Sequence, residues 1–183
     1  MGGGKTINIP AICKDVATLL TQGEKFVIAH GASATRDEIA EQLGVPTKTI
    51  TSPSGVSSVY TDEKAIEVFL MVYAGLLNKK IVAALQKEGV NAVGLSGIDG
   101  RLWEAKKKEA VYAVEGEKTR LIKDNLTGKV QKVNADLLRL LVDRGYVPVI
   151  CPPAISFEHE IVNTDNDFAT AVMAEALAIK KMV

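Results

Sequence analysis

The chain has 183 residues, 47% of them hydrophobic, with 22 Lys+Arg against 22 Asp+Glu. That length supports one substantial core, and the composition is that of an ordinary soluble domain. Zero formal net charge argues against nucleic acid or an anionic membrane as the main partner. No apolar run reaches spanning length and no N-terminal signal pattern is present. Cys13 and Cys151 form no metal-ligand spacing, so a reduced cytoplasmic compartment is the simplest inference.

Gly2-Gly3-Gly4-Lys5-Thr6 opens the chain. It looks like the tail of a P-loop, but the first glycine of that motif would have to precede Met1. A glycine turn approaching an anion and a plain terminus both remain open. Pro10–Gln22 reads as an amphipathic helix with proline in its first turn and Gly23 at its end. Lys25–His30 reads as a short buried strand, followed by His30-Gly31-Ala32-Ser33-Ala34 and a helix from about Thr35 to Leu43. Strand, small-residue turn and helix can cradle a phosphate or carboxylate, although an ordinary tight turn has the same pattern. His30 reads as structural rather than catalytic.

Residues 46–60 are polar and read as a loop, a lid or a hairpin. Thr61-Asp62-Glu63-Lys64 looks like a capped start to an apolar helix through Leu77, with a second helix over 79–87. Residues 91–96 form the next strand and 97–101 a turn-rich loop. The segment 102–123 reads as a basic hairpin carrying Lys106, Lys107, Lys108, Lys118, Arg120 and Lys123. A solvated face and a docking surface for an acidic partner are both open there. Val133–Arg144 is another amphipathic helix, with Asn134 as its cap.

Residues 146–151 are an apolar run ending in Pro152-Pro153, which reads as a buried strand stopped by prolines. A loop with Glu158, His159 and Glu160 follows. Asn163, Thr164, Asp165, Asn166 and Asp167 then open a helix over 168–180. Five capping-type residues exceed what one helix needs, so this stretch is favoured as the rim of a site. Strands alternating with helices predict an α/β sandwich with a mainly parallel sheet and ligands at the strands' carboxyl ends. Those ends are HGASA, GLSG and PPAIS.

The ordered motifs resemble the amino acid kinase superfamily in its acetylglutamate-kinase-like branch. The closest resemblance is to the LysW-dependent aminoadipate/glutamate kinases. They are GGGKTIN at the start, HGASA at 30–34, SPSGVSSVYTD at 52–62, NKKIV at 78–82, NAVGLSGIDGRLW at 91–103, GYVPVICPPAIS at 145–156 and NTDND at 163–167. The resemblance implies a three-layer α/β/α sandwich. It also implies ATP-dependent phosphorylation, with Mg²⁺ carried by the ATP, of a side-chain carboxylate to an acyl phosphate. The substrate would be aminoadipate or glutamate linked to an acidic carrier protein. A cytoplasmic homodimer dimerising through helices within 61–88 is implied too, with no metal site of the protein's own.

By the same resemblance, Gly2 and Gly3 match the phosphate-loop glycines, Gly31 and Ala32 a substrate-binding Gly-Gly pair, and Asn163 the substrate-binding asparagine. Asp167 matches the aspartate that orients the family's two catalytic lysines. The basic hairpin and Arg101 match surfaces facing the carrier. Val59 stands where the family has a substrate-binding arginine, and valine makes no ion pair. Both lysines fall outside residues 1–183. The chain therefore reads as a single amino-acid-binding portion, truncated at both ends, lacking the ATP-binding half and inactive alone. The alternatives are a non-catalytic carrier- or amino-acid-binding module, and an acetylglutamate kinase using free substrate.

Overall fold

The computed structural model describes residues 7–115 and 118–179. The central feature is β9 (Val147–Ser156), whose ten residues pair with four other strands. Its amino-terminal half lies between β1 (Ile28–Ala29) and β4 (Ala92–Gly97), parallel to both. Its carboxyl-terminal half pairs antiparallel with β10 (Ile161–Thr164) and parallel with β5 (Trp103–Lys107). The last strand, β8 (Thr127–Val133), runs antiparallel to β5 and parallel to β10. Parallel pairings predominate, as alternating strands and helices require.

Pro152 and Pro153 do not stop β9. The register with β4 jumps from Ser96–Cys151 to Gly97–Ala154, so both prolines fall in a gap of the ladder where no amide hydrogen is needed. The Pro152–Pro153 bond is cis.

Alternation along β9 sorts the layers. Val147 and Val149 face a cluster with Cys13, Val16, Ile81 and Leu85, and Cys151 joins Ala32, Ile66, Phe69 and Val72. Ile150 faces the other way, with Leu138, Ala169 and Met173. One face of the sheet is thus covered by α1 (Ile9–Thr21), α2 (Ser33–Gln42), α3 (Glu63–Phe69) and α4 (Asn78–Lys87). The other is covered by α5 (Ala135–Asp143) and α6 (Asn166–Ala176). This is the three-layer α/β/α sandwich.

The two helices read from 61–88 form one rod. A π-helical stretch, Leu70–Leu77, joins α3 to α4 without a break. At 25 residues, Glu63–Lys87 has the length and composition to cross a membrane. Here it lays Ile66, Phe69, Tyr73, Ile81 and Leu85 into the core.

Residues 48–60 form a hairpin of β2 (Lys48–Thr51) and β3 (Ser57–Tyr60). The basic segment divides. Residues 103–107 join the main sheet as β5, while β6 (Val111–Glu115) and β7 (Lys118–Ile122) form a separate two-stranded ribbon. β8 and β10 are strands that the sequence pattern misses. β8 alternates with polar residues on an irregular register, and β10 is four residues long.

Candidate functional site

The strands β1, β4 and β9 run parallel but do not end together: Ala29 of β1 pairs with Ile150, Gly97 of β4 pairs with Ala154, and β9 runs on to Ser156, so PPAIS is the last stretch of a strand rather than a turn beyond it. His30, just past β1, is 1% exposed. Its Nε2 lies 3.1 Å from Asn78 Nδ2, and its Nδ1 lies 3.2 Å from the Gly31 carbonyl. Asn78 Nδ2 also donates to the Val149 carbonyl at 2.9 Å, while Lys79 Nζ donates to Asn78 Oδ1 at 3.1 Å. A carbonyl only accepts and an ammonium only donates, so these two contacts fix the Asn78 amide orientation. Nε2 of His30 is therefore an acceptor and Nδ1 carries the proton. Burial lowers the His30 pKa to about 4, against the raising effect of the Gly31 carbonyl. The ring is a neutral strut beneath the turn that follows it.

That turn places Ala32 at the N-cap of α2, where no side chain caps the helix. Ala32 is 2% exposed, and its N–H faces the Tyr73 hydroxyl. Gly31 is half-buried beside it.

Val59 and Asn163 are brought together through Thr61, which is 0% exposed. The Thr61 N–H donates to Asn125 Oδ1 at 2.9 Å, and its carbonyl accepts from Leu126 N–H at 2.7 Å. Its hydroxyl donates to the Val59 carbonyl at 3.2 Å and accepts from Asn163 Nδ2 at 3.1 Å. Asn163 lies in β10 rather than in a helix cap; of the NTDND residues it is Asp165 that caps α6, accepting from Phe168 N–H at 2.9 Å. Asp167 is exposed in the first turn of α6. Between Asn163 and Asp167, Thr164 Oγ1 and Asn166 Oδ1 are buried with no hydrogen-bond partner among the described residues. Gly2 and Gly3 lie outside the described residues.

A cavity of about 710 Å³ opens between α2, the β2–β3 hairpin, α3 and residues 124–126. Ala40, Val45, Val59, Val68, Phe69 and Leu126 give it apolar walls, and Arg36 lines it as well. Two polar contacts on its walls tie separate segments together. Tyr60 donates to Asp124 Oδ2 at 2.6 Å, which raises the tyrosine pKa to about 12, and Lys107 pairs with Glu160 at 2.7 Å.

Arg36, Thr61, Tyr73 and Asn78 are absent from the site expected from sequence. Asn78 carried a signal, as an amide at the start of an otherwise apolar α4 face. The others carried none, because partners up to 102 residues away define them. Arg101 is held by Glu104, whose carboxyl Arg101 and then Lys132 keep below its ordinary range. Among the described residues, no group of three or more His, Cys, Asp and Glu side chains could hold a metal ion.

The layers and the strand order define an α/β/α sandwich protein. Residues 2–183 match the amino acid kinase family, and the chain belongs to it. It is 46% identical over its whole length to a LysW-aminoadipate kinase of Thermus thermophilus, covering 68% of that protein. It is 40% identical over 95% of its length to a putative LysW-aminoadipate/LysW-glutamate kinase of Nitrosopumilus maritimus, covering 65% of it. The chain thus spans about two thirds of the length of these curated relatives. The N-acetylglutamate synthase of Neisseria gonorrhoeae shares the fold, with TM-score 0.67 at 23% identity, over 92% of this chain and 35% of that one.

Proposed function

We propose that the chain is the acceptor-binding portion of a kinase. The kinase transfers the γ-phosphoryl group of ATP to the side-chain carboxylate of aminoadipate or glutamate, giving an acyl phosphate. The amino acid is linked by its amino group to an acidic carrier protein, in lysine or arginine biosynthesis. The observation that carries this reading is the tie between Asn163 and Thr61, whose hydroxyl also holds the carbonyl of Val59, a residue that lines the cavity. The names of the relatives supply the substrate class.

Gly31 and Ala32 then present backbone to the acceptor, Val59 forms an apolar wall, and Asn163 turns its remaining amide atoms to the substrate. Asp167 orients the lysines of the complete site, and Gly2 and Gly3 approach the transferring phosphate. ATP supplies the phosphoryl group, and Mg²⁺ enters with the nucleotide. Joining two anions asks a site for positioning and positive charge rather than a covalent nucleophile. The ribbon β6–β7, with exposed Tyr112, Leu121 and Lys118, is the carrier-docking face. The rod Glu63–Lys87, with Met71 exposed, is the homodimer face, and the compartment is the cytoplasm.

Titration calorimetry with a carrier protein ending in glutamate, against the same carrier lacking that residue, tests the reading. Binding that requires the terminal glutamate is expected. Equal affinity for both forms, or no binding by a folded chain, overturns it.

A further inference from the structure

Arg36 stands out as a buried cation that lines the cavity and has one of its two donor forks committed to a carboxylate. It lies one turn into α2, 6% exposed, with its N–H bonded to the Ala32 carbonyl at 2.8 Å. A guanidinium presents two donor forks. The Nε/Nη2 fork is occupied: both nitrogens donate to Asp37 Oδ1, at 2.9 and 2.7 Å. That same oxygen accepts from the Thr47 hydroxyl at 2.7 Å, which ties α2 to the start of the hairpin. Among the described residues, the Nη1/Nη2 fork meets only the Tyr73 hydroxyl, at 3.4 Å from Nη1. The guanidinium carbon sits 4.9 Å over the Phe69 ring, which stacks on Tyr73 at 5.1 Å. The plane of the group is thereby held from below and from one edge.

An arginine serving the fold alone would direct both forks at protein acceptors, because leaving buried donors unmatched is costly. Here the open fork belongs to a residue that lines the acceptor cavity, and Tyr73 connects it to the Ala32 N–H. Val59 lines the same cavity, a half-buried hydrocarbon side chain with no donor.

We propose that Arg36 is the carboxylate-binding residue of this cavity, supplying from α2 the bidentate cation that position 59 does not offer. This rests on the acceptor reading above. It also fixes which carboxylate is held. A carboxylate locked in a guanidinium fork is a poor nucleophile, so Arg36 takes the α-carboxylate and leaves the side-chain carboxylate for phosphorylation. Arg36 is a substrate-positioning residue that sets specificity for acceptors with a free α-carboxylate.

The test is titration calorimetry of the chain with N-acetylglutamate and with its α-methyl ester. It uses the wild type, R36Q, R36K and the double variant R36Q/V59R, each checked for folding by circular dichroism. The wild type is expected to bind the ester roughly 10- to 100-fold more weakly than the free acid, and R36Q to lose that preference. R36K keeps the charge without the fork and falls between them. R36Q/V59R recovers the preference by restoring a guanidinium to the cavity from position 59, which a merely structural role for Arg36 would not allow. Wild-type binding that R36Q matches within about twofold overturns the role of Arg36 and leaves the acceptor reading standing. If R36Q does not fold, a wild type indifferent to the ester overturns the proposal. A folded wild type that binds neither N-acetylglutamate nor the carrier overturns both.

Discussion

Asn163 donates its side-chain N–H to the Thr61 hydroxyl at 3.1 Å, joining residues 102 positions apart in the chain. The contact locks the end of β10 to the start of α3. Thr61 is the hub, since its N–H, carbonyl and hydroxyl are all engaged. Thr61→Val removes the hydroxyl and leaves the Val59 carbonyl and Asn163 short of a partner. It should lower stability by about 1–3 kcal/mol, read from urea unfolding. Asn163→Ala should cost less stability and should weaken acceptor binding measured by calorimetry. Equal loss of stability in both variants would make Asn163 a structural residue.

A Cβ added at Gly94 would lie 2.0 Å from Asn78 Oδ1 and 2.8 Å from Lys79 Nζ. The lysine end is flexible, but Asn78 is fixed by Val149 and His30. Gly94→Ala should therefore displace the buried amide and cost about 1–3 kcal/mol in urea unfolding. A stability within error of the wild type would mean that Asn78 has an alternative seat.

Stability should depend on pH through His30. Its folded pKa is near 4, lowered by burial, against an ordinary value of 6.5. Above 6.5 the ring is neutral folded or unfolded, so no dependence arises there. Between 6.5 and 4 the unfolded chain takes up a proton that the folded chain refuses, so stability falls as pH falls. The full effect is about 3 kcal/mol, reached near the lower value. A protonated Nε2 would also point at the Asn78 N–H. Urea midpoints of the wild type and His30→Gln across this range measure it. A glutamine variant with the same pH slope would assign the dependence to other groups.

Tyr60, half-buried on one wall of the cavity, donates to Asp124 at 2.6 Å. Tyr60→Phe should change global stability by less than about 1 kcal/mol, since the pair is solvated. Freed from Asp124, the β2–β3 hairpin should be cut faster at its 52–55 tip in limited proteolysis. An unchanged cleavage rate would mean that the hairpin is held by its packing alone.

The chain's own patterning determined the alternation of strands and helices and the small-residue turn before α2. These are local matters of hydrophobic period and turn chemistry, and neighbouring residues suffice to decide them. Pairing decided the rest. β9 runs through Pro152-Pro153 because β4 leaves a gap in the ladder there. β10 is a strand because β9 and β8 offer partners on both sides. The Asn163–Thr61 contact, the Asn78 strut under His30 and the half-committed guanidinium of Arg36 each join segments distant in sequence. Their chemistry depends on which donor meets which acceptor, and packing alone sets that.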